Sequence, residues 1–280
     1  MLPALAAWVL SWAGALPAVA HGDLHDRIVA LTVRLQTNAA NGELWLQRAD
    51  LRRQHGEWEA ALEDVESAGR LKPDWLPARL QRARIFHDQE KSAETVRAAT
   101  YCLVLDPANA DALVLRARSL ARLGKFEAAV ADYDAVLADA GGPRPLPDLF
   151  LERARCLAAL GKHERAVRGL DEGLRQLGET PSLALPAIDC ERERGAFAAA
   201  LDRLERARKY FDRESHLVLR GEIFLQAGRT AEAEKDFRAA LDLLEHPPSP
   251  RRNRPPIAPL VARARSGLAR LEGAVPATRR

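Results

Sequence analysis

Three arginines, Arg84, Arg118 and Arg155, recur at intervals of 34 and 37 residues. A guanidinium is a planar fork of donors, so a regular row of them suits carboxylates, each taken by two parallel hydrogen bonds. A peptide C-terminus or an acidic segment is such a ligand. The competing reading leaves these arginines solvated or paired with acids such as Glu152, which contributes little. A second set is His21 and His25 in the word HGDLH. If processing made His21 the first residue, its amine and imidazole, with His25 one helical turn on, could take a metal such as copper. Two histidines without a clear third ligand form a thin set, and a solvated chain end is the competing reading.

No catalytic set accompanies them. The sequence has no GxSxG, HExxH, CxxC or phosphate-binding glycine loop. His55, His87, His163, His216 and His246 fall at turns and helix ends, and carboxylate neighbours such as Glu63 and Asp64, or Glu191 and Glu193, lie on ordinary helix faces. This is the profile of a non-enzyme with no cofactor. Composition agrees: 42 basic residues against 39 acidic ones leave a net charge of only +3, which makes no case for nucleic acid. The Arg251, Arg252, Asn253, Arg254 run reads as a polar linker.

The elements that must position these residues repeat. Pro73 and Pro107 are 34 apart, as are Gly161 and Gly195, and the glycines sit in similar words: QHGEWEAAL, RLGKFEAAV, ALGKHERAV, ERGAFAAAL and QAGRTAEAE. In each word one helix ends at glycine, which closes it cheaply in the left-handed region, and another begins. With units starting at 42, 76, 110, 147, 181 and 214, the eighth position is Ala49, Ala83, Ala117, Ala154, Ile188 and Gly221. The twentieth is Ala61, Thr95, Ala129, Ala166, Ala200 and Ala233, and the twenty-seventh is Ala68, Cys102, Val136, Gly173, Ala207 and Ala240. Small side chains return where two helices must approach closely. Larger apolar residues return at the fourth position (Trp45, Leu113, Phe150, Leu217) and the twenty-fourth (Val65, Tyr133, Leu170, Leu204, Phe237).

This pattern resembles the tetratricopeptide repeat family over residues 42–245. The resemblance implies an all-α fold, a right-handed α-solenoid of about six helix–turn–helix units with a concave groove that binds a protein or peptide partner. It also implies that the ninth position of each unit lines the groove. Those residues are Asp50, Arg84, Arg118, Arg155, Asp189 and Glu222. Arginines at the seventh position, two earlier (Arg48, Arg82, Arg116, Arg153, Arg220), are expected along the inter-repeat seam, stems packed and heads on neighbouring acids. Unit two departs from the pattern with Glu90 in place of the turn glycine. Unit five departs with Pro186, which should confine its first helix to 187–194.

Flanking segments complete the plan. Residues 1–20 are uncharged, apolar and end in Ala18-Val19-Ala20, which reads as an export signal cleaved after Ala20; an uncleaved anchor is the competing reading. The mature protein is then expected to be secreted or periplasmic, not membrane-spanning, and able to dock on an envelope complex. Residues 21–41 should supply an N-terminal capping helix over 24–37. GGPRPLP at 141–147 should be a loop, 246–256 a Pro/Arg-rich linker, and 257–280 a C-terminal capping helix with a tail. Cys156 and Cys190 share the tenth position of successive units, too far apart for a disulfide, so buried thiols are expected, Cys102 included.

Overall fold

A computed structural model of the chain describes residues 18–138, 146–178, 180–246 and 257–273. The residues through 17, most of the segment expected to be an export signal, the expected loop through residue 145, residue 179, the Pro/Arg-rich segment 247–256 and the tail from residue 274 lie outside them. The described residues form α-helices joined by short turns, with no strand among them. The fold is all-α, a succession of helical hairpins of the α-solenoid class.

The helices are α1 (Ala18–Thr37), α2 (Gly42–His55), α3 (Trp58–Leu71), α4 (Leu76–Asp88), α5 (Ser92–Leu105), α6 (Ala110–Arg122), α7 (Phe126–Leu137), α8 (Pro147–Ala159), α9 (His163–Leu177), α10 (Pro181–Glu193), α11 (Phe197–Arg206), α12 (Arg213–Gln226), α13 (Thr230–Glu245) and α14 (Ile257–Gly273). Three helices carry features the repeat pattern alone does not give. The capping helix α1 begins at Ala18 rather than at residue 24. α11 stops at Arg206 and continues as a 3-10 turn, Arg208–Tyr210. α10 begins at Pro181 and runs through Pro186, where the sequence suggested a start at 187. Proline at that depth forfeits one i to i−4 hydrogen bond. The loss is offset by packing: Leu183, Ala187 and Ile188 on either side of it are all fully buried.

Five turn glycines, Gly56, Gly124, Gly161, Gly195 and Gly228, have positive φ of 69–83°. The second hairpin reaches the same geometry with Glu90 at φ 57°, the one non-glycine there among the described residues.

Two compact units divide at Ser119 and Leu120. In the first, α2 packs on α3, α4 on α5, and α4 also on α2 and α3, while α1 covers α2. Ile28, Leu31 and Leu35 of α1 meet Leu44 and Leu51 of α2 in one buried cluster. Each such side chain contributes about 1.5–3 kcal/mol when fully buried, so the predicted cap is an integral wall. In the second unit α8 packs on α9 and α7, α10 on α9 and α11, α12 on α13, and α14 on α12 and α13.

The small-residue columns lie where nesting requires them. All six twentieth-position residues have zero exposure, and Ala49, Ala83, Ala117, Ala154 and Ile188 are at most 3% exposed. The glycines of these columns are more demanding still. A Cβ on Gly221 would lie 2.8 Å from Phe237, and one on Gly173 would lie 2.8 Å from both Leu183 and Phe150.

Candidate partner-binding groove

The first unit holds an open cavity of about 730 Å³. α2 is its floor, with Leu46, Leu51 and Asp50; α4 is one wall, with Leu76, Leu80, Gln81 and Arg84; α1 is the other, with Arg27, Leu31 and Arg34. The same i, i+3, i+4 spacing that buries one face of each helix leaves these residues on the adjoining face, so the groove is apolar at its base and polar at its rim.

Its charge is lopsided. Asp50 accepts hydrogen bonds from Gln81 Nε2 at 2.9 Å, Gln54 Nε2 at 2.7 Å and Arg53 Nη2 at 2.9 Å. Burial would raise its pKa, but the bonds from Gln81 and Arg53 outweigh it and hold the carboxyl below its ordinary range. Asp50 is therefore ionised and already satisfied, with little capacity left for a ligand. Arg84 is engaged only at its tip, with Asp111 Oδ2 at 2.5 Å, and both side chains are substantially exposed. Arg27 and Arg34 are exposed on the groove wall, with no ion pair among the described residues. Three guanidiniums thus face the groove against one carboxylate that is already bonded internally.

The groove gathers two of the six ninth-position residues, Asp50 and Arg84. Arg118 is half-buried and already engaged by a partner. In the second unit Arg155 is exposed, Asp189 pairs with Arg192 at 3.3 Å, and Glu222 is taken by Arg263 of α14 through two bonds of 2.8 Å. Arg27, Arg34 and Gln81 were missed from sequence. The i, i+7 spacing of the two arginines placed them on one face of a helix, but nothing local said that this helix borders a cavity.

The arginine column at the seventh position has a more specific role than seam packing. Arg48 donates through Nε and Nη2 to the two oxygens of Asp64, at 2.9 and 2.6 Å, and through Nη1 to Thr32 of α1 at 2.9 Å. Arg220 repeats this on Asp236 at 2.6 and 2.8 Å. Both pairs lie 16 residues apart and join the two helices of one hairpin, rather than neighbouring repeats alone. Arg153 does reach a neighbour, with Asp134 at 3.1 Å, Glu172 at 2.9 Å and the carbonyl of Gly169 at 3.4 Å.

The imidazole of His25 has its centroid 6.4 Å from that of His55, whose Nδ1 lies 2.7 Å from Glu57. The side chain of His21 is outside the described residues. Among the described residues no three His, Cys, Asp or Glu converge as metal ligands, and no helix is long and apolar enough to cross a membrane. Cys102, Cys156 and Cys190 are buried free thiols, as expected, and burial raises the pKa of each.

Stacked helical hairpins nested on small residues define a repeat module of the kind that binds other proteins. The tetratricopeptide repeat model matches residues 80–145, 114–180 and 190–248, more than half of the chain, and the chain belongs to that family. Solved structures share the fold. The C-terminal part of a TPR repeat-containing protein from Cytophaga hutchinsonii superposes with a TM-score of 0.66 at 12% identity, covering 89% of this chain and 96% of that one. A tetratricopeptide repeat protein from Parabacteroides merdae gives 0.54 at 20% identity, covering 88% and 94%. PilW, a type IV pilus biogenesis factor, gives 0.53 at 20% identity, covering 74% and 94%. No curated protein matches the chain.

Proposed function

We propose that this protein is a non-enzymatic adaptor acting outside the cytoplasm, and that the groove between α1, α2 and α4 holds an acidic, carboxylate-bearing segment of a protein partner. One observation carries the reading: an apolar groove of about 730 Å³ is rimmed by Arg27, Arg34 and Arg84 while its single carboxylate is internally bonded. The apolar base supplies area, and the guanidiniums supply selectivity and register. Arg27 and Arg34 lie seven residues, about 10.5 Å, apart along α1. A partner helix with acidic residues two turns apart would meet both.

Titration calorimetry with acidic peptides and their amide counterparts tests this. The triple variant Arg27→Ala, Arg34→Ala, Arg84→Ala should lose affinity by about tenfold or more per engaged carboxylate, and wild-type binding should weaken with added salt. Equal affinities for wild type and variant would discard the acidic-ligand reading while leaving an apolar one standing. Adding Arg118→Ala and Arg155→Ala asks whether the ligand extends along the row. Export rests on the segment 1–20, cleaved after Ala20; the mass of the N-terminal peptide from fractionated cells decides it, and a retained segment points instead to an anchor. Capture of the processed protein from its own cell envelope should bring the partner with it, docked on an envelope complex and without nucleic acid.

A second reading, copper held by the processed terminus through His21 and His25, has one observation in its favour: His55 brings another imidazole close to His25. Metal analysis of correctly processed protein separates the two readings, since no copper uptake removes this one.

A further inference from the structure

The hairpin clamp lacks its acid 16 residues on in two places: Gly169 stands there for Arg153, which takes Glu172 and Asp134 instead, and Ala98 stands there for Arg82, which has no such substitute among the described residues. Arg48 and Arg220 each find, 16 residues on, a carboxylate that takes both Nε and Nη2. In the second hairpin the corresponding arginine is Arg82, and 16 residues on stands Ala98. The nearest carboxylate to Arg82 is Glu66 at 3.7 Å, too long for a hydrogen bond, and both side chains are about half exposed. The unit has not collapsed to fill the gap. A pocket of about 270 Å³ opens there, lined by Arg79, Arg82, Phe86, Arg97, Ala98 and Tyr101, with Glu94 beside them.

Three features prepare this pocket for an anion. The guanidinium of Arg82 lies 5.4 Å over the ring of Phe86, and that of Arg79 lies 4.7 Å over the ring of Tyr101, so both forks are held in place before any ligand arrives. Arg79 Nη2 donates to the carbonyl of Pro73 at 2.6 Å, but its Nε is buried without an acceptor. Three arginines line the pocket against one acid, Glu94, which is drawn to Arg97 at 3.5 Å. None of these residues borders the groove described above.

We propose that the α4–α5 hairpin carries a carboxylate-binding pocket on Arg82, in which an external carboxylate takes the place that Asp64 and Asp236 fill from within in other hairpins. The planar fork and the absent partner both select a carboxylate. It can come from an acidic side chain of a protein or from a small free acid, and the pocket is large enough for the side chain as well as its head.

The experiment follows the arginine Nε–H resonance of Arg82 by NMR in the full protein. The probes are sodium acetate, succinate, a blocked Gly-Glu-Gly peptide with its Gln counterpart, and inorganic phosphate. Acetate, succinate and the Glu peptide should shift the resonance saturably, and the Gln peptide should not. A Glu peptide binding more tightly than acetate assigns the pocket to a protein partner; succinate binding more tightly than the peptide assigns it to a free acid. Ala98→Asp should supply the missing carboxylate internally, shift the resonance without ligand, and weaken every carboxylate probe by about tenfold or more. Arg82→Gln, at a half-exposed site, should abolish binding even if the aspartate variant proves unstable. Phosphate equalling acetate, or Arg82→Gln leaving acetate binding intact, would overturn the proposal.

Discussion

Replacing Asp64 by alanine is the most direct test of how the first hairpin is held. Asp64 is 1% exposed, and its carboxylate accepts hydrogen bonds from Arg48 Nε at 2.9 Å and Arg48 Nη2 at 2.6 Å, with Arg52 Nη1 paired at 2.9 Å to Oδ2, the oxygen that takes Arg48 Nε. Alanine removes the acceptor of both Arg48 hydrogen bonds and the Arg52 ion pair while leaving a guanidinium whose residue is 7% exposed. Hydrogen bonds to charged groups are worth about 1.5–3 kcal/mol each, and removing one partner of a buried pair costs about 3–5 kcal/mol because the other charge is stranded. Arg48 keeps two consolations, its bond to Thr32 and its position 5.0 Å over the Trp45 ring, which argues for the lower end, about 3 kcal/mol. The assay is urea unfolding followed by far-UV circular dichroism, with amide exchange in α1–α3 as the local readout. Because Arg48 also ties α1 to the hairpin, protection should fall in α1 as well as in α2 and α3. The companion variant Arg48→Met, Asp64→Leu should lie close to wild type, since an apolar pair of similar volume often replaces a buried ion pair at no loss. A penalty under about 1 kcal/mol for Asp64→Ala, or a double variant less stable than the single, would refute the view that the clamp matters through stranded charge.

Three further outcomes follow from single residues. Glu90→Gly should stabilise the protein by about 0.5–1 kcal/mol in thermal unfolding, because it relieves a left-handed residue that costs about 1–2 kcal/mol and gives part of that back as chain entropy; a lower melting temperature would contradict this. Gly267→Ala should destabilise by about 1–3 kcal/mol and raise amide exchange in α14, because its Cβ would lie 2.4 Å from the buried ring of Phe237; unchanged exchange would show that α14 is not seated there. His216 is 3% exposed, and burial, opposed by Glu205 at 3.2 Å, lowers its pKa below 6.5. The unfolded chain therefore binds its proton first, so stability should fall as pH drops below about 6.5 and level off once the folded state also protonates. His216→Gln should flatten that slope between pH 7.5 and 5.5, and an identical slope would rule the residue out.

The fold was legible because its requirement is geometric and recurs. Two helices can nest only where both are small, so Ala61, Ala129, Ala166, Ala200 and Ala233 announce the packing at a fixed period, and each proves fully buried. The turn glycines are equally readable, since left-handed φ is a local demand; Glu90 broke the pattern in composition while the backbone kept it. Pro186 misled because a propensity is local and packing is not: Leu183 on the unexpected part of α10 is fully buried. The clamp was half visible. The arginine column could be counted, but the acids of Arg48 and Arg220 lie 16 residues on, across a turn, where only the hairpin brings them to the guanidinium. The groove was the least legible feature, because its rim is built from α1, which belongs to no repeat and whose arginines resemble any others in an arginine-rich chain. Periodicity thus reports what every hairpin must do to stack, whereas binding requires something a hairpin does differently. Two such places are a cap whose Arg27 and Arg34 form no ion pair among the described residues, and a hairpin with Ala98 where others carry an aspartate, and both leave a guanidinium at an open cavity.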